Sequence, residues 1–207
     1  MTSTRQPFVL FDDAGAGASK TARLYADPVG EVCASAPGDV AGAFEALRRA
    51  GAAGLHAAGW MAYEMGCALE PRLTPILDAR PGSLMWFGLF RGYAELDAAG
   101  VQEFLPHPHG AYATAPRPRI DRRRYDEVIA RTLAYIRAGD VYQINLTFQS
   151  DLELFGDPLA FYAQVRTAGA GGWGGVVFDG DTWLLSTSPE MFFTLRESVI
   201  EARPMKG

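Results

Sequence analysis

The sequence predicts an α+β fold, antiparallel sheets packed with helices, and three features carry that expectation. Residues 121–138 hold one apolar helical stripe, Tyr125, Val128, Ile129, Thr132, Leu133 and Ile136, between an N-cap residue, Asp121, and a stop residue, Gly139. Residues 175–178 and 182–185 read as short strands about the turn Asp179-Gly180, and 191–195 and 199–202 as a second hairpin about Arg196-Glu-Ser198. Helices and hairpins follow one another without a regular βαβ alternation, which favours α+β over a parallel sheet.

The elements follow in order. Residues 8–11, 24–25 and 31–33 are apolar strand-like pieces separated by the turn-rich stretches 12–17 and 28–30. Asp39 is placed to cap a short helix in which Val40, Ala43, Phe44 and Leu47 share a face and Gly51 follows the last turn. The run 55–64 is apolar and glycine-dotted; periodicity does not separate strand from helix there, and Trp60 and Tyr63 favour strand. Residues 83–90 read as a central strand between Pro81-Gly82 and Arg91-Gly92. Pro106, Pro108, Pro116 and Pro118 mark 105–119 as a linker or surface crossing. Two regions are therefore expected, 1–104 and 120–207, joined by that segment. After the helix, 141–148 alternates like a strand, with Tyr142, Ile144, Leu146 and Phe148 on one face and Gln143, Asn145 and Thr147 on the other. Pro158 opens a further helix with Leu159, Phe161, Tyr162 and Val165 apolar.

Composition narrows the function. The chain has 207 residues, 48% hydrophobic and 21% charged, which excludes a disordered or collagen-like protein. Its net charge of −5 and lack of a long basic run argue against nucleic acid. No uncharged apolar run reaches the ~18 residues of a membrane helix, and the first residues lack the apolar core of a signal peptide. A cytoplasmic protein with Cys33 and Cys67 reduced is expected. An anionic ligand would need local positive charge or a metal against the overall field.

Several constellations could carry chemistry. Gln143, Asn145 and Thr147 either line a ligand cavity or face water. Ser186-Thr-Ser-Pro-Glu190 sits at a strand end, where hydroxyls and a carboxylate can converge, although Ser-Pro-Glu is also ordinary turn chemistry. A hairpin about 196–198 brings Glu190 and Lys206 to one end, as an acid and a nucleophile or as a surface ion pair. His107-Pro-His109 has metal-ligand spacing without a Cys or carboxylate beside it, His56 reads as a core histidine, and the glycine-rich 169–175 reads as a loop.

Three ordered motifs, Ala138-Gly-Asp-Val-Tyr-Gln-Ile-Asn-Leu-Thr147, Ser186-Thr-Ser-Pro-Glu190 and Pro204-Met-Lys-Gly207, resemble those of the chorismate-utilising enzymes. Gly59-Trp-Met-Ala-Tyr63-Glu64 and Trp86-Phe-Gly-Leu-Phe90 resemble the amino-terminal region of the aminodeoxychorismate synthase branch. The resemblance spans most of 55–207 and implies the fold of anthranilate synthase component I, incomplete at its carboxy-terminal end. It also implies that Lys206 attacks chorismate, where anthranilate synthases carry Ala, and that Glu190 is the general acid. Gln143, Asn145, Thr147, Ser186 and Ser188 become substrate-pocket candidates. Mg²⁺ would be the cofactor, with ligands expected downstream of residue 207. The implied partners are a glutamine amidotransferase subunit that supplies ammonia and, in some forms, a fused aminodeoxychorismate lyase domain. On this resemblance 1–207 is an amino-terminal portion, inactive alone. The alternatives are anthranilate synthase and a non-catalytic amidotransferase-docking or amino-acid-binding module. For an amino-acid pocket the candidates are Asp12, where Ser is common in the family, and Trp173, preceded by Gly172 where Pro is common.

Overall fold

The structure, a computed structural model, describes residues 5–12, 22–77, 83–168 and 172–202. Residues 13–17 of the first expected turn, the Pro81-Gly82 boundary, 169–171 of the glycine-rich stretch, and 203–207 with Lys206 lie outside them. In chain order the elements are β1 (Phe8–Asp12), β2 (Ala22–Tyr25), β3 (Gly30–Ala34), α1 (Val40–Ala52), β4 (His56–Met61), α2 (Met65–Leu69), α3 (Thr74–Leu77), β5 (Met85–Phe90), β6 (Ala94–Leu96) and α4 (Ala98–Phe104). There follow β7 (Ala111–Ala113), β8 (Arg117–Pro118), α5 (Arg122–Ala138), β9 (Ser150–Asp151), β10 (Leu154–Gly156), α6 (Pro158–Ala168), β11 (Trp173–Phe178), β12 (Trp183–Ser188), β13 (Thr194–Arg196) and β14 (Val199–Glu201).

Helices and antiparallel sheets thus mix as the sequence predicts. A five-stranded sheet runs β12-β11-β1-β2-β6, and a three-stranded sheet runs β3-β5-β4. Alternation along β1 explains how they stack. Phe8 and Leu10 turn one way, into a cluster with Val101 and Leu105 beside α4 and Leu159 and Tyr162 of α6. Val9 turns the other way, with Tyr25 and Val177, against Ala58, Trp86 and Phe90 of the three-stranded sheet. The far face of that sheet, Val32, Ala34 and Met85, packs on Val40 and Ala43 of α1, Met65 of α2 and Leu77 of α3. The layers are helix, sheet, sheet, helix.

Local chemistry sets the element ends. On α5, the Asp121 carboxylate accepts the Arg124 N–H at 2.7 Å, and Gly139 ends the helix at φ +81°, a left-handed conformation open to glycine. Asp157 does the same for α6, accepting the Leu159 N–H at 2.9 Å before Pro158 in the first turn. The α1 expectation changes in detail. Asp39 accepts the Ser35 and Ala36 N–H groups instead of capping, and the helix runs through Gly51 to Ala52, with Gly54 at φ +80° beyond it. The 55–64 run resolves as strand over His56–Met61, with Tyr63 and Glu64 in the turn that follows, and 83–90 holds β5 at the centre of its sheet. Gly59 is required there, because a Cβ would collide with the Trp86 carbonyl across the pair. His56 is exposed, not a core residue; its ring sits edge-on to Tyr93 at 5.4 Å.

Two segments differ further. The expected strand 141–148 is irregular backbone. A strand needs a neighbour to take its N–H and C=O groups, and in the described sheets none pairs with these residues. Its alternation buries neither face: Tyr142 is 89% exposed, and Ile144 and Phe148 are also exposed. The proline-bearing crossing, by contrast, contributes β7 and β8, and Gln164 of α6 donates its amide to the Pro108 and Ala111 carbonyls.

Phe90, fully buried between the two sheets, should be among the costliest positions to truncate. Phe90→Ala is expected to lose about 3–5 kcal/mol of unfolding free energy in a urea titration, with the m-value unchanged.

Candidate active site

The site is built at one end of the five-stranded sheet. β12 pairs with β11 so that Trp173 faces Ser188, Gly174 faces Thr187 and Gly175 faces Ser186. Residues opposite one another share a face, so Trp173, Ser186 and Ser188 belong to one side of the edge strand and Thr187 to the other. β12 then ends in Ser188-Pro189-Glu190. The Ser188 hydroxyl donates to the Glu190 carbonyl at 2.9 Å and accepts the Glu190 N–H at 3.3 Å, closing a tight turn. Glu190 is exposed just past this turn. The chain continues past the exposed ring of Phe192 into the hairpin β13–β14, where Thr194 pairs with Glu201 and Arg196 with Val199. The turn holds Glu197 at φ +55° and lies where the sequence places it.

Gln143, Asn145 and Thr147 are exposed on the irregular 141–149 segment. Gln143 donates its side-chain amide to the Asn145 oxygen at 3.5 Å, the outer limit of a hydrogen bond, so these two do sit together. Lys206 is outside the described residues.

The two amino-acid-pocket candidates fall on opposite faces. Asp12 pairs with Gly174 and shares the α6 side of the sheet with Phe8 and Leu10, whereas Trp173 is on the reverse side. Asp12 is the one buried charged or polar residue among those described, 3% exposed, and it is fully engaged. The Arg166 guanidinium donates to both its oxygens, at 2.7 and 3.1 Å, and the Tyr162 hydroxyl donates to Oδ2 at 3.0 Å. This fork on a carboxylate is the geometry that best offsets the desolvation of both charges. Burial, followed by the Asp12 charge and its hydrogen bond, pushes the Tyr162 phenol far above the usual tyrosine range, so Tyr162 acts as a donor only. Gly174 belongs to the same arrangement: a Cβ would collide with the Tyr162 hydroxyl.

The sequence reading missed this cluster. Its signal is visible in retrospect: Asp12 completes the period-two series Phe8, Leu10, Asp12, which points it at the core, and Tyr162 and Arg166 are four apart on one helix face.

Comparison with known families decides the assignment, because the model of the family described as chorismate binding enzyme matches residues 5–207. The chain belongs to that family. Among individual relatives, aminodeoxychorismate synthase component 1 of Klebsiella aerogenes is 32% identical over 94 residues, 45% of this chain and 21% of that protein. The Escherichia coli protein of the same name is 27% identical over 106 residues, 51% of this chain and 23% of that one. Anthranilate synthase component 1 of Thermus thermophilus is 33% identical over 88 residues, 42% of this chain and 19% of that one. The matched stretches thus span about a fifth of these relatives' own length. Among the described residues no group of three or more His, Cys, Asp or Glu stands together to hold a metal, and no helix is long and apolar enough to cross a membrane.

The Tyr162 phenol is raised on folding from the ordinary 10.0. Its contribution is therefore complete below about pH 10 and is lost as pH rises through the folded value. Tyr162→Phe should cost about 1–3 kcal/mol at neutral pH, since it strips a donor from a buried carboxylate. It should also flatten the alkaline decline of stability above pH 10, measured by urea unfolding at a series of pH values.

Proposed function

We propose that the protein aminates chorismate to 4-amino-4-deoxychorismate, with ammonia delivered by a glutamine amidotransferase subunit. The observation that carries this reading is Lys206 in the Pro-x-Lys-Gly position of a chain whose family match runs from residue 5 to 207, where anthranilate synthases carry Ala. Relatives of both kinds match at similar identity, so overall likeness does not separate them.

The chemistry follows from the residue types. The neutral Lys206 amine adds to C2 of the ring, the double bonds shift, and the 4-hydroxyl departs as water with a proton from the Glu190 carboxyl. Ammonia then bonds to C4, the double bonds shift back, and the C2–N bond to lysine breaks. An amine attacks only when unprotonated, which desolvation or a neighbouring cation favours. A carboxyl donates only when it holds its proton at working pH. Glu190 is exposed, so bound substrate must supply much of the desolvation it needs. The fold supports the pairing of roles: the β13–β14 hairpin returns the chain toward the end of β12 that carries Glu190, and Lys206 follows β14 closely in sequence. Ser186, Gln143, Asn145 and Thr147 are polar side chains available to a substrate with two carboxylates and a hydroxyl, while the Ser188 hydroxyl proton is held by the Glu190 carbonyl and would have to be released to join them. Mg²⁺, proposed as the cofactor that binds a substrate carboxylate, finds no assembled ligand set among the described residues.

In protein carrying this sequence, with chorismate, Mg²⁺ and ammonia, Lys206→Ala should lower kcat by about 100-fold or more, and Glu190→Gln by about 100- to 10,000-fold. Product is followed by conversion to 4-aminobenzoate with added lyase. Anthranilate as the wild-type product would identify the second reading, and an undiminished rate in Lys206→Ala would remove the first.

A further inference from the structure

Asp12 poses a question that stability does not answer. A buried ion pair recovers little beyond its desolvation cost, and apolar residues of similar volume often serve as well or better. Phe8 and Leu10, its neighbours on the same face, are fully apolar in the same cluster. What a forked Arg–carboxylate contact adds is direction, since it holds two groups at a fixed angle and distance.

The direction here is toward the site. Asp12, Gly174 and Thr187 form one row across three adjacent strands, β1, β11 and β12. At ~4.8 Å per strand, Thr187 lies about 10 Å from Asp12. Among the described residues the pairing of β1 with β2 runs from Val9 to Phe11. On the α6 side, Arg166 and Tyr162 grip Asp12, and the Tyr162 hydroxyl lies over Gly174 so closely that no side chain would fit. From Thr187 to Glu190 the path is short and stiff, with the Ser188 hydroxyl bonded to the Glu190 backbone in both directions and φ fixed at Pro189.

We propose that Asp12, Arg166 and Tyr162 are positioning residues, a buried ion-pair cluster that fixes through strand pairing the place from which the Ser186–Glu190 segment acts. The proposal rests on Glu190 being the proton donor. Displacing a reacting group by ~1 Å costs on the order of 100-fold in rate, so a small relaxation of this strand end is felt in turnover.

The test replaces the cluster with apolar side chains of similar size: Asp12→Leu, Arg166→Met and Tyr162→Phe together. The expected result is a folded protein whose melting temperature is unchanged or higher, whose kcat for chorismate amination falls about 10- to 100-fold, and whose KM for chorismate stays within about threefold. Arg166→Lys alone, with charge but no fork, should lie between this variant and wild type. A triple variant that keeps the wild-type kcat overturns the proposal. Should the triple variant not fold, amide hydrogen exchange in Asp12→Asn decides. Selective acceleration at 187, 188 and 190 relative to the β13–β14 hairpin supports the proposal, and unchanged exchange at those amides overturns it. A wild-type protein that converts chorismate to anthranilate instead removes the functional reading, while the exchange measurement still reports on the positioning itself.

Discussion

The antiparallel pairing of β1 with β11 is the constraint on which the rest depends. It joins Phe8–Asp12 to Trp173–Phe178 across nearly the whole sequence. Without it the five-stranded sheet separates into the β11–β12 hairpin and the three strands β1-β2-β6, and the hairpin alone lacks the breadth that independent stability asks of a sheet. The pairing also makes both cores possible at once. One face of β1 receives α4 and α6, and the other receives the three-stranded sheet. Because side chains alternate strictly, a one-residue slip would exchange Val9 for Leu10 and bring Asp12 into the sheet–sheet layer, where Arg166 could not reach it. The Asp12 cluster acts as a register lock on the same pairing that carries the site.

Such a lock suits a segment that must be both exposed and exact in placement. β12 is an edge strand, and its last residues, Ser188 through Glu190, are open on one side. Edge strands fray unless something beneath holds them. Here the support comes from α6, a helix whose own start is fixed by Asp157 and whose middle is tied through Gln164 to the crossing at 108–111. The Arg5 side chain adds an outer strap, bonding Asp157 at 3.4 Å and lying over the Trp183 ring at 5.3 Å.

Much of this was legible in the sequence where a local rule sufficed. The capped helix α5, the Pro158 start of α6, the central strand β5 and both carboxy-terminal hairpins each follow from signals within a dozen residues. What failed needed knowledge of a neighbour. The alternation of 141–148 is as regular as that of any strand in the chain, yet alternation specifies a strand only where another backbone lies alongside, and none does among the described residues. Gly51 reads as a helix stop, but the φ +80° that accepts glycine occurs at Gly54. His56 looked interior by its apolar company, and it sits at the end of an outer strand of its sheet. For the site, Ser188 and Glu190 were legible as a strand-end turn. Asp12 was singled out, but its meaning was not readable, because its partners come from a helix 150 residues away in sequence. The pairing of Asp12 with Trp173 as one pocket did not anticipate that the two project from opposite faces.

The account of function rests on a transient bond between Lys206 and the substrate ring, and trapping that bond tests it most directly. Protein carrying this sequence would be incubated with chorismate and Mg²⁺ in the absence of ammonia, quenched in acid, digested and mapped by mass spectrometry. The predicted result is a peptide containing Lys206 heavier by one chorismate less one water, lost when ammonia is supplied. An unmodified Lys206 peptide, recovered while the same preparation forms aminated product once ammonia is added, would contradict it.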